Sequence, residues 1–238
     1  MQKTNNTSQI FLTGFSEAFG MPALIISTTM LGFGALAKTT NFDITSAILS
    51  TVLIWGLPGQ VAMLEALATG VPFGAIILSV VMANMRFLPM AVSLIPLFQQ
   101  DPIGWRWRYA LVHFMSVNTW VGLQRRASSL AFEHRATYFF GFSMICMIGG
   151  VIGTILGFYL ANFLPFTLTA TLVFLNPIYF SLVFLEAQGR ALKLAIFFGC
   201  ILGPALYLLT PDWSLPLVGV LAGTAAFILD RHLTKLDA

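Results

Sequence analysis

The sequence predicts an all-α fold: a polytopic integral membrane helix bundle of seven or eight spans, with broken helices and a candidate two-fold internal repeat. Composition is the first observation behind this prediction. Of the 238 residues, 58% are hydrophobic and 9% are charged, whereas soluble domains are about 25% charged. The second observation is a series of apolar runs long enough to cross a bilayer. The third is that prolines and glycines interrupt these runs, so that freed backbone groups need partners inside the protein.

The charge distribution argues against a nucleic-acid-binding protein. The formal net charge is only +3, and the basic residues flank apolar runs. Basic residues in that position are typical of cytoplasmic loops. We therefore expect the chain to contact the lipid bilayer and no nucleic acid.

The predicted domain organisation has three parts. Residues 1–13 form a polar N-terminal tail, residues 14–229 form a single transmembrane domain, and residues 230–238 form a charged C-terminal tail. Within the transmembrane domain we distinguish two candidate halves, residues 14–124 and 137–229.

The first half contains the most strongly interrupted runs. Pro22 breaks its first span lightly, Pro58 breaks the second, and the triplet 84–86 with Arg86 lies inside the third. A polar loop over residues 99–108 then carries two tryptophans that we interpret as interface anchors. The four predicted spans are residues 14–37, 44–69, 71–98 and 109–124.

The second half begins after a charged loop over residues 125–135. Its first span carries Gly149, Gly153 and Gly157 at four-residue spacing, which places them on one helix face. Small residues on one face favour close packing, and a partner subunit is one candidate for that contact. A later span is predicted to break at Asn176-Pro177. The four spans are residues 137–160, 167–187, 194–209 and 215–229.

Two topologies remain open. The basic loops near residues 125–135, 190–193 and 231–235 are predicted to be cytoplasmic. With eight crossings the N-terminus is also inside. If residues 109–124 form a re-entrant segment, fewer spans cross and the N-terminus lies outside.

Two similarly interrupted segments suggest an internal repeat. Pro58 and Pro177 are 119 residues apart, half the chain length, and an acid follows each, Glu65 and Glu186. Paired interrupted segments in the two halves of a membrane protein indicate the substrate site of a secondary transporter. The repeat can be parallel or inverted, depending on the number of crossings.

Several motifs resemble those of AzlC-type branched-chain amino acid permeases. Residues 55–61 (WGLPGQV) stand where the family carries a Gly-Ser/Ala-x-Gln-Phe element. Residues 84–87 (NMRF) with 93–96 (SLIP) are similar to its Asn/Asp-x-Arg-His element and Ser-Leu-x-Pro sequel. The first span and residues 174–182 (FLNPIYFSL) resemble further segments of the family.

The resemblance implies the large subunit of a two-component exporter in a bacterial inner membrane. Its partner would be a small AzlD-type subunit of about four spans, and its substrate a branched-chain amino acid. Two departures bear on the substrate and its coupling. The family often has acids where this chain has residues 116–118 (SVN), and a His in place of Phe87.

An amino acid substrate would need a cation for its carboxylate and oxygens for its ammonium. Arg86 lies deep inside an apolar run, where a charge is costly and therefore functional or paired. The half-helix after Pro58 and Gly59 offers free N–H groups. The amides for the ammonium are Gln60, Asn84, Asn118 and Asn176, and the aromatic wall residues are Trp55, Phe87, Phe174 and Tyr179.

Simpler roles remain open for the same residues. Arg86 could pair with Glu65 or Glu186 to hold helices together. The amides could satisfy backbone groups freed by Pro58 and Pro177. His113 could relay protons or only pack.

Other chemistry is not indicated by the sequence. It contains no HExxH, no GxSxG and no aspartate pair inside a span, so we predict no enzyme, no metal and no cofactor. Cys146 and Cys200 lie in apolar runs without a CxxC neighbour and are interpreted as small hydrophobic residues. The alternative to a transporter is a channel-like or scaffold subunit of a two-component complex with a different small substrate.

Overall fold

A computed structural model describes residues 7–99, 103–185, 190–210 and 214–236. All regular secondary structure in these ranges is helical, with two short 3-10 segments at Ile95–Phe98 and Phe132–His134. The α-helices are α1 Thr7–Ala18, α2 Met21–Thr39, α3 Ile44–Leu53, α4 Leu57–Ala68, α5 Phe73–Ala83, α6 Phe87–Leu94, α7 Trp105–His113, α8 Val117–Arg126, α9 Arg135–Leu160, α10 Phe166–Leu185, α11 Arg190–Leu209 and α12 Ser214–Leu236.

Within the described ranges, four stretches of helix are long and apolar enough to cross a membrane. The pair Phe73–Ala83 and Phe87–Phe98, bent by 54° at its break, adds a fifth if it forms one span. The all-helical, apolar architecture is therefore confirmed, while the count of seven or eight spans stays a prediction. The four stretches are Met21–Thr39, Phe132–Leu160, Arg190–Leu209 and Leu217–Thr234.

Prolines in the first half of the chain begin helices instead of interrupting them. Pro22 lies in the first turn of α2 and Pro58 in the first turn of α4. A first-turn residue has no intrahelical acceptor for its N–H, so proline loses nothing there and its fixed φ suits the helix. The predicted single span over residues 14–37 is consequently wrong. Two helices, α1 and α2, meet at Gly20.

Two further boundaries differ from the prediction. Helix α7 already begins at Trp105, inside the predicted loop, and the weak span over residues 109–124 is split between α7 and α8. Conversely, α10 continues through Pro177, so the predicted interruption there is wrong at the level of secondary structure. A proline inside a helix removes one backbone hydrogen bond, and the remaining bonds can carry the helix past it.

Helix α9 is the central helix of the part of the chain that precedes α10, and α1 and α2 pack against it. A Cβ on Gly153 or Gly157 would overlap the carbonyl oxygen of Ser27 or Leu31 on α2. The glycine face of α9 is therefore filled by α2 of the same chain, and the suggestion that it receives a partner subunit is wrong. The absent side chains allow backbone-to-backbone contact, as small residues do in membrane helix pairs.

The direction of α2 and α9 follows from the order of their contacts. Ser27 faces Gly153 and Leu31 faces Gly157, so the residue numbers rise together and the helices run parallel. Phe11 of α1 faces Gly141 in the same sense. If α2 and α9 both cross the membrane, an odd number of crossings must separate them.

The chain divides into two compact units, Met1–Pro177 and Ile178–Ala238. In the second unit α11 and α12 pack on each other. A cavity of about 310 Å³ near the end of α12 is lined by Phe227, Ile228, Arg231 and His232. The halves predicted as residues 14–124 and 137–229 remain a prediction.

Candidate functional site: three helix breaks around Trp55

Three interruptions of the helices meet in the first unit. They are residues 54–56 between α3 and α4, residues 84–86 between α5 and α6, and residues 114–116 between α7 and α8. Each interruption leaves backbone groups without intrahelical partners. The side chains that link the three breaks define the candidate site.

Trp55 joins the first break to the third. Its backbone has φ of +46°, in the left-handed region, which costs a bulky residue roughly 1–3 kcal/mol. The side chain is 4% exposed. Its indole Nε1 donates a hydrogen bond of 3.3 Å to the Phe114 carbonyl, and the ring packs against Gly150, where a Cβ would lie 2.9 Å from Cζ3. This burial and this bond offset the strain and fix the bend of the chain.

His113 makes a second link between the same breaks. Its Nε2 lies 2.8 Å from the carbonyl oxygen of Val52, near the end of α3. Because a carbonyl only accepts, Nε2 carries the hydrogen in this contact. The bond satisfies one of the carbonyls left open at the end of α3 and gives His113 a defined structural role.

The second break docks onto the first turn of α4. The Asn84 side chain lies over Gly56 and Gly59, and a Cβ on Gly59 would overlap the Asn84 amide. A Cβ on Gly56 would come within 2.9 Å of Phe87 Cε2. These glycines therefore leave room for the residues around Arg86 to approach the N-terminus of a half-helix, where the dipole favours negative charge.

Gln60, two residues after Pro58, is completely buried. Its amide nitrogen donates to Ser50 Oγ at 3.2 Å and to Thr51 Oγ1 at 3.1 Å. Thr51 Oγ1 in turn lies 2.9 Å from Thr154 Oγ1. This chain of polar side chains ties α4 through α3 to the central helix α9.

Asn118 anchors the third break to the beginning of α2. It is 4% exposed, and its Nδ2 donates to the Pro22 carbonyl at 3.3 Å. Just before it, Ser116 and Thr119 form a capping box that begins α8. The local sequence thus ends one helix and starts the next with Asn118 held in the first turn.

The three amides of this site leave their carbonyl oxygens unpaired. Within the described ranges, Gln60 Oε1, Asn84 Oδ1 and Asn118 Oδ1 are buried and have no hydrogen-bond partner. A buried polar atom without a partner costs about 1–3 kcal/mol, and such atoms in native folds mark sites of function or bound water. The site is therefore rich in free acceptors.

The structure thus places most of the predicted site residues in one region. Pro58, Gly59, Gln60 and Asn84 meet at the start of α4, Arg86 lies in the adjoining break, and Asn118 lies in the first turn of α8, just after the third break. Pro177 lies inside α10, and the side chains of Asn176 and Tyr179 are outside the described part.

The predicted aromatic wall divides in two. Trp55 and Phe87 border the breaks. Phe174 is 62% exposed, which does not support a role in a pocket wall. Pairing of Arg86 with Glu65 or Glu186 stays a prediction, and Glu186 lies outside the described residues.

Two polar clusters were not predicted. One is the set of hydroxyls that hold Gln60, and the only local signal for it is the Ser50-Thr51 pair just before the break. The other links α1, α8 and α9. Arg126 forms an ion pair with Glu17, and the Tyr138 hydroxyl donates a hydrogen bond of 2.6 Å to the same carboxylate.

These features define a class of protein: a polytopic helical membrane protein with a polar site built at broken helices. The sequence matches the AzlC protein family over residues 22–164, more than half of the chain, so the protein belongs to that family. This membership and the apolar helices identify a transport-related membrane protein. No curated protein and no solved structure shows significant similarity to the chain.

Proposed function

We propose that the protein is a secondary transporter that exports branched-chain or similar apolar amino acids across a bacterial inner membrane. The observation that carries the proposal is the meeting of three helix breaks. Trp55 bonds to the third break, Asn84 of the second packs on Gly56 and Gly59, and three buried amide oxygens are unpaired within the described ranges. Broken helices at a polar site are the construction that secondary transporters use to bind substrate at membrane depth.

Each part of the substrate finds a matching group. Arg86 and the first turn of α4 attract the carboxylate, since a guanidinium fork and a helix N-terminus both favour an anion. Amide oxygens accept from the ammonium. Trp55 and Phe87 supply apolar surface for the side chain.

The proposal includes a small four-span membrane subunit as partner. It rests on the resemblance of the chain to the large subunit of two-component exporters and on the membership in the AzlC family. Co-purification of the protein with the product of an adjacent reading frame of about four apolar spans would support it.

Efflux of labelled leucine, isoleucine, valine and methionine from cells with and without the protein tests the function. We expect faster efflux of at least one of the four with the protein. We expect Arg86→Ala to abolish that difference, because the carboxylate loses its cation, and Arg86→Lys to retain part of it. Unchanged efflux of all four would contradict the proposed substrate class.

Arg106→Ala is the matched control for Arg86→Ala. Arg106 is an exposed arginine beside Trp105 at the start of α7, so its loss should leave efflux unchanged. Equal loss of efflux in both variants would show that net charge or membrane insertion, and not the Arg86 site, limits transport. The amount of each variant in the membrane is measured in parallel.

A further inference from the structure

We propose that Gln60 Oε1 is the atom that recognises a monovalent cationic centre, and that Ser50, Thr51 and Thr154 are positioning residues that aim it. The inference rests on the proposed function and deepens it, because it names the group of the ligand that Gln60 binds. The cationic centre is either the ammonium of the substrate or an inorganic cation such as Na⁺.

The direction of the hydrogen bonds carries the argument. A hydroxyl has one hydrogen to donate. Thr154 can donate to the Gly150 carbonyl at 3.0 Å, Thr51 to Thr154, and Ser50 to the Ala47 carbonyl at 2.8 Å. Both amide hydrogens of Gln60 then have acceptors, and the chain of donors runs away from Gln60 towards the backbone of α9.

The opposite orientation of the Gln60 amide is less favourable. It would turn the amide nitrogen towards the side where Oε1 now has no partner among the described residues. Two buried N–H donors would then lack acceptors in place of one oxygen. The hydroxyls of Ser50 and Thr51 therefore hold the Gln60 amide in the orientation in which both N–H groups are bonded and Oε1 has no partner among the described residues.

This polarity restricts the chemistry of the ligand. A free carbonyl oxygen accepts a hydrogen bond or coordinates a cation, and it repels a carboxylate. Asn118 shows the same polarity, with its Nδ2 engaged by the Pro22 carbonyl and its Oδ1 free within the described ranges. Gln60 is fully enclosed, so a ligand reaches it when the helices around the break separate, as alternating access requires.

The test is ligand-dependent thermal unfolding of the purified full-length protein in detergent. The ligands are leucine, 2-hydroxy-4-methylpentanoate, which has the same carboxylate and side chain but no ammonium, and sodium chloride against choline chloride. Each titration yields an apparent Kd from the ligand-dependent shift of Tm.

Thr51→Val keeps the side-chain volume and removes one acceptor of the Gln60 amide. We expect it to weaken binding of the cationic ligand about tenfold, the size of one lost hydrogen bond, while binding of the hydroxy acid changes less than about twofold. Gln60→Leu should have the larger effect. Thr154→Val should have the smallest, because Thr51 can turn to the Ala47 carbonyl at 3.0 Å.

Thr28→Val is the matched control. The Thr28 hydroxyl donates to the Leu24 carbonyl of its own helix at 2.7 Å, so removal of the hydroxyl should leave every apparent Kd unchanged. If Gln60→Leu fails to fold, the near-isosteric Thr51→Val still decides the question.

The outcomes separate this inference from the proposed function. Selective weakening of leucine binding by Thr51→Val supports the ammonium as the centre. Weakened sodium binding, with leucine unaffected or not bound, supports an inorganic cation. Equal weakening of leucine and the hydroxy acid overturns the inference and leaves amino acid transport standing. A wild-type protein that neither leucine nor sodium stabilises also overturns it, and the efflux assay then judges the function independently.

Discussion

At the scale of single residues, the site depends on glycines, which leave room for the larger side chains around them. Gly56 and Gly59 create the space in which the Asn84 amide lies, and Gly150 creates the space for the Trp55 ring. A substitution at such a glycine can therefore have two different effects. It can displace a side chain of the site, or it can disrupt the fold.

Gly59→Ala tests that separation. The new Cβ would overlap the terminal amide of Asn84, which can move aside by rotation, so we expect the protein to fold and insert with its efflux activity reduced about tenfold or more. Efflux and the amount of membrane-inserted protein are measured on the same cells.

Gly74→Ala provides the control for that substitution. Gly74 lies near the start of α5 and has no atom within 4 Å of an added Cβ, so normal efflux is expected. Normal efflux by Gly59→Ala as well would exclude a role for the Asn84 position in transport.

The sequence predicted the local half of this site. Pro58 and Gly59 are predicted because they interrupt the backbone of an apolar run, and Gln60, Asn84 and Arg86 because polar side chains inside an apolar run need a partner or a function. Their partners could not be predicted. Which residue of a distant helix faces Gln60 or Trp55 depends on helix rotation and register, and a single sequence carries no direct signal for either.

At the scale of helices, the contact between α2 and α9 is the strongest constraint on the first unit. The two backbones touch at Gly153 and Gly157 without intervening side chains. In a membrane such close contact replaces the hydrophobic effect as the source of helix association. The periodicity of the glycines predicted a packing face, but it could not tell an internal helix from a partner subunit.

Gly153→Ala should destabilise the protein by about 1–3 kcal/mol, the usual cost of overpacking. The added methyl group would overlap the Ser27 carbonyl oxygen, which belongs to the backbone and cannot rotate away. The two helices must then separate. Thermal unfolding of the purified protein in detergent measures the loss as a lower Tm.

Gly199→Ala is the comparison for that change. Gly199 lies inside α11 and has no atom within 4 Å of an added Cβ, and replacing a helical glycine by alanine gains about 0.5–1 kcal/mol. An unchanged or higher Tm is expected. A Tm for Gly153→Ala that equals or exceeds that of Gly199→Ala would contradict the close packing of α2 on α9.

At the scale of the whole chain, parallel packing of α2 and α9 restricts the topology that composition left open. Parallel spans require an odd number of crossings between them, and three crossings result if all three broken pairs, α3–α4, α5–α6 and α7–α8, cross the membrane. If only the α7–α8 pair is re-entrant, two crossings remain, and α2 and α9 could not be parallel. Because α1–α2 and α9 open the two predicted halves in the same direction, any repeat relating those halves would be parallel.

Single cysteines introduced into a Cys146→Ser, Cys200→Ser background test this topology. A membrane-impermeant maleimide should label Thr7→Cys and Ser129→Cys from one side, since Thr7 begins α1 and Ser129 precedes α9. It should label Thr40→Cys and Asn162→Cys from the other side, since these positions follow α2 and α9. The basic residues near Ser129 predict that the first pair is cytoplasmic. Labelling of inverted and right-side-out vesicles measures the side directly, and all four positions are exposed. If Thr7→Cys and Ser129→Cys react from opposite sides, α2 and α9 cannot cross the membrane in parallel, and the parallel relation of the halves fails with them.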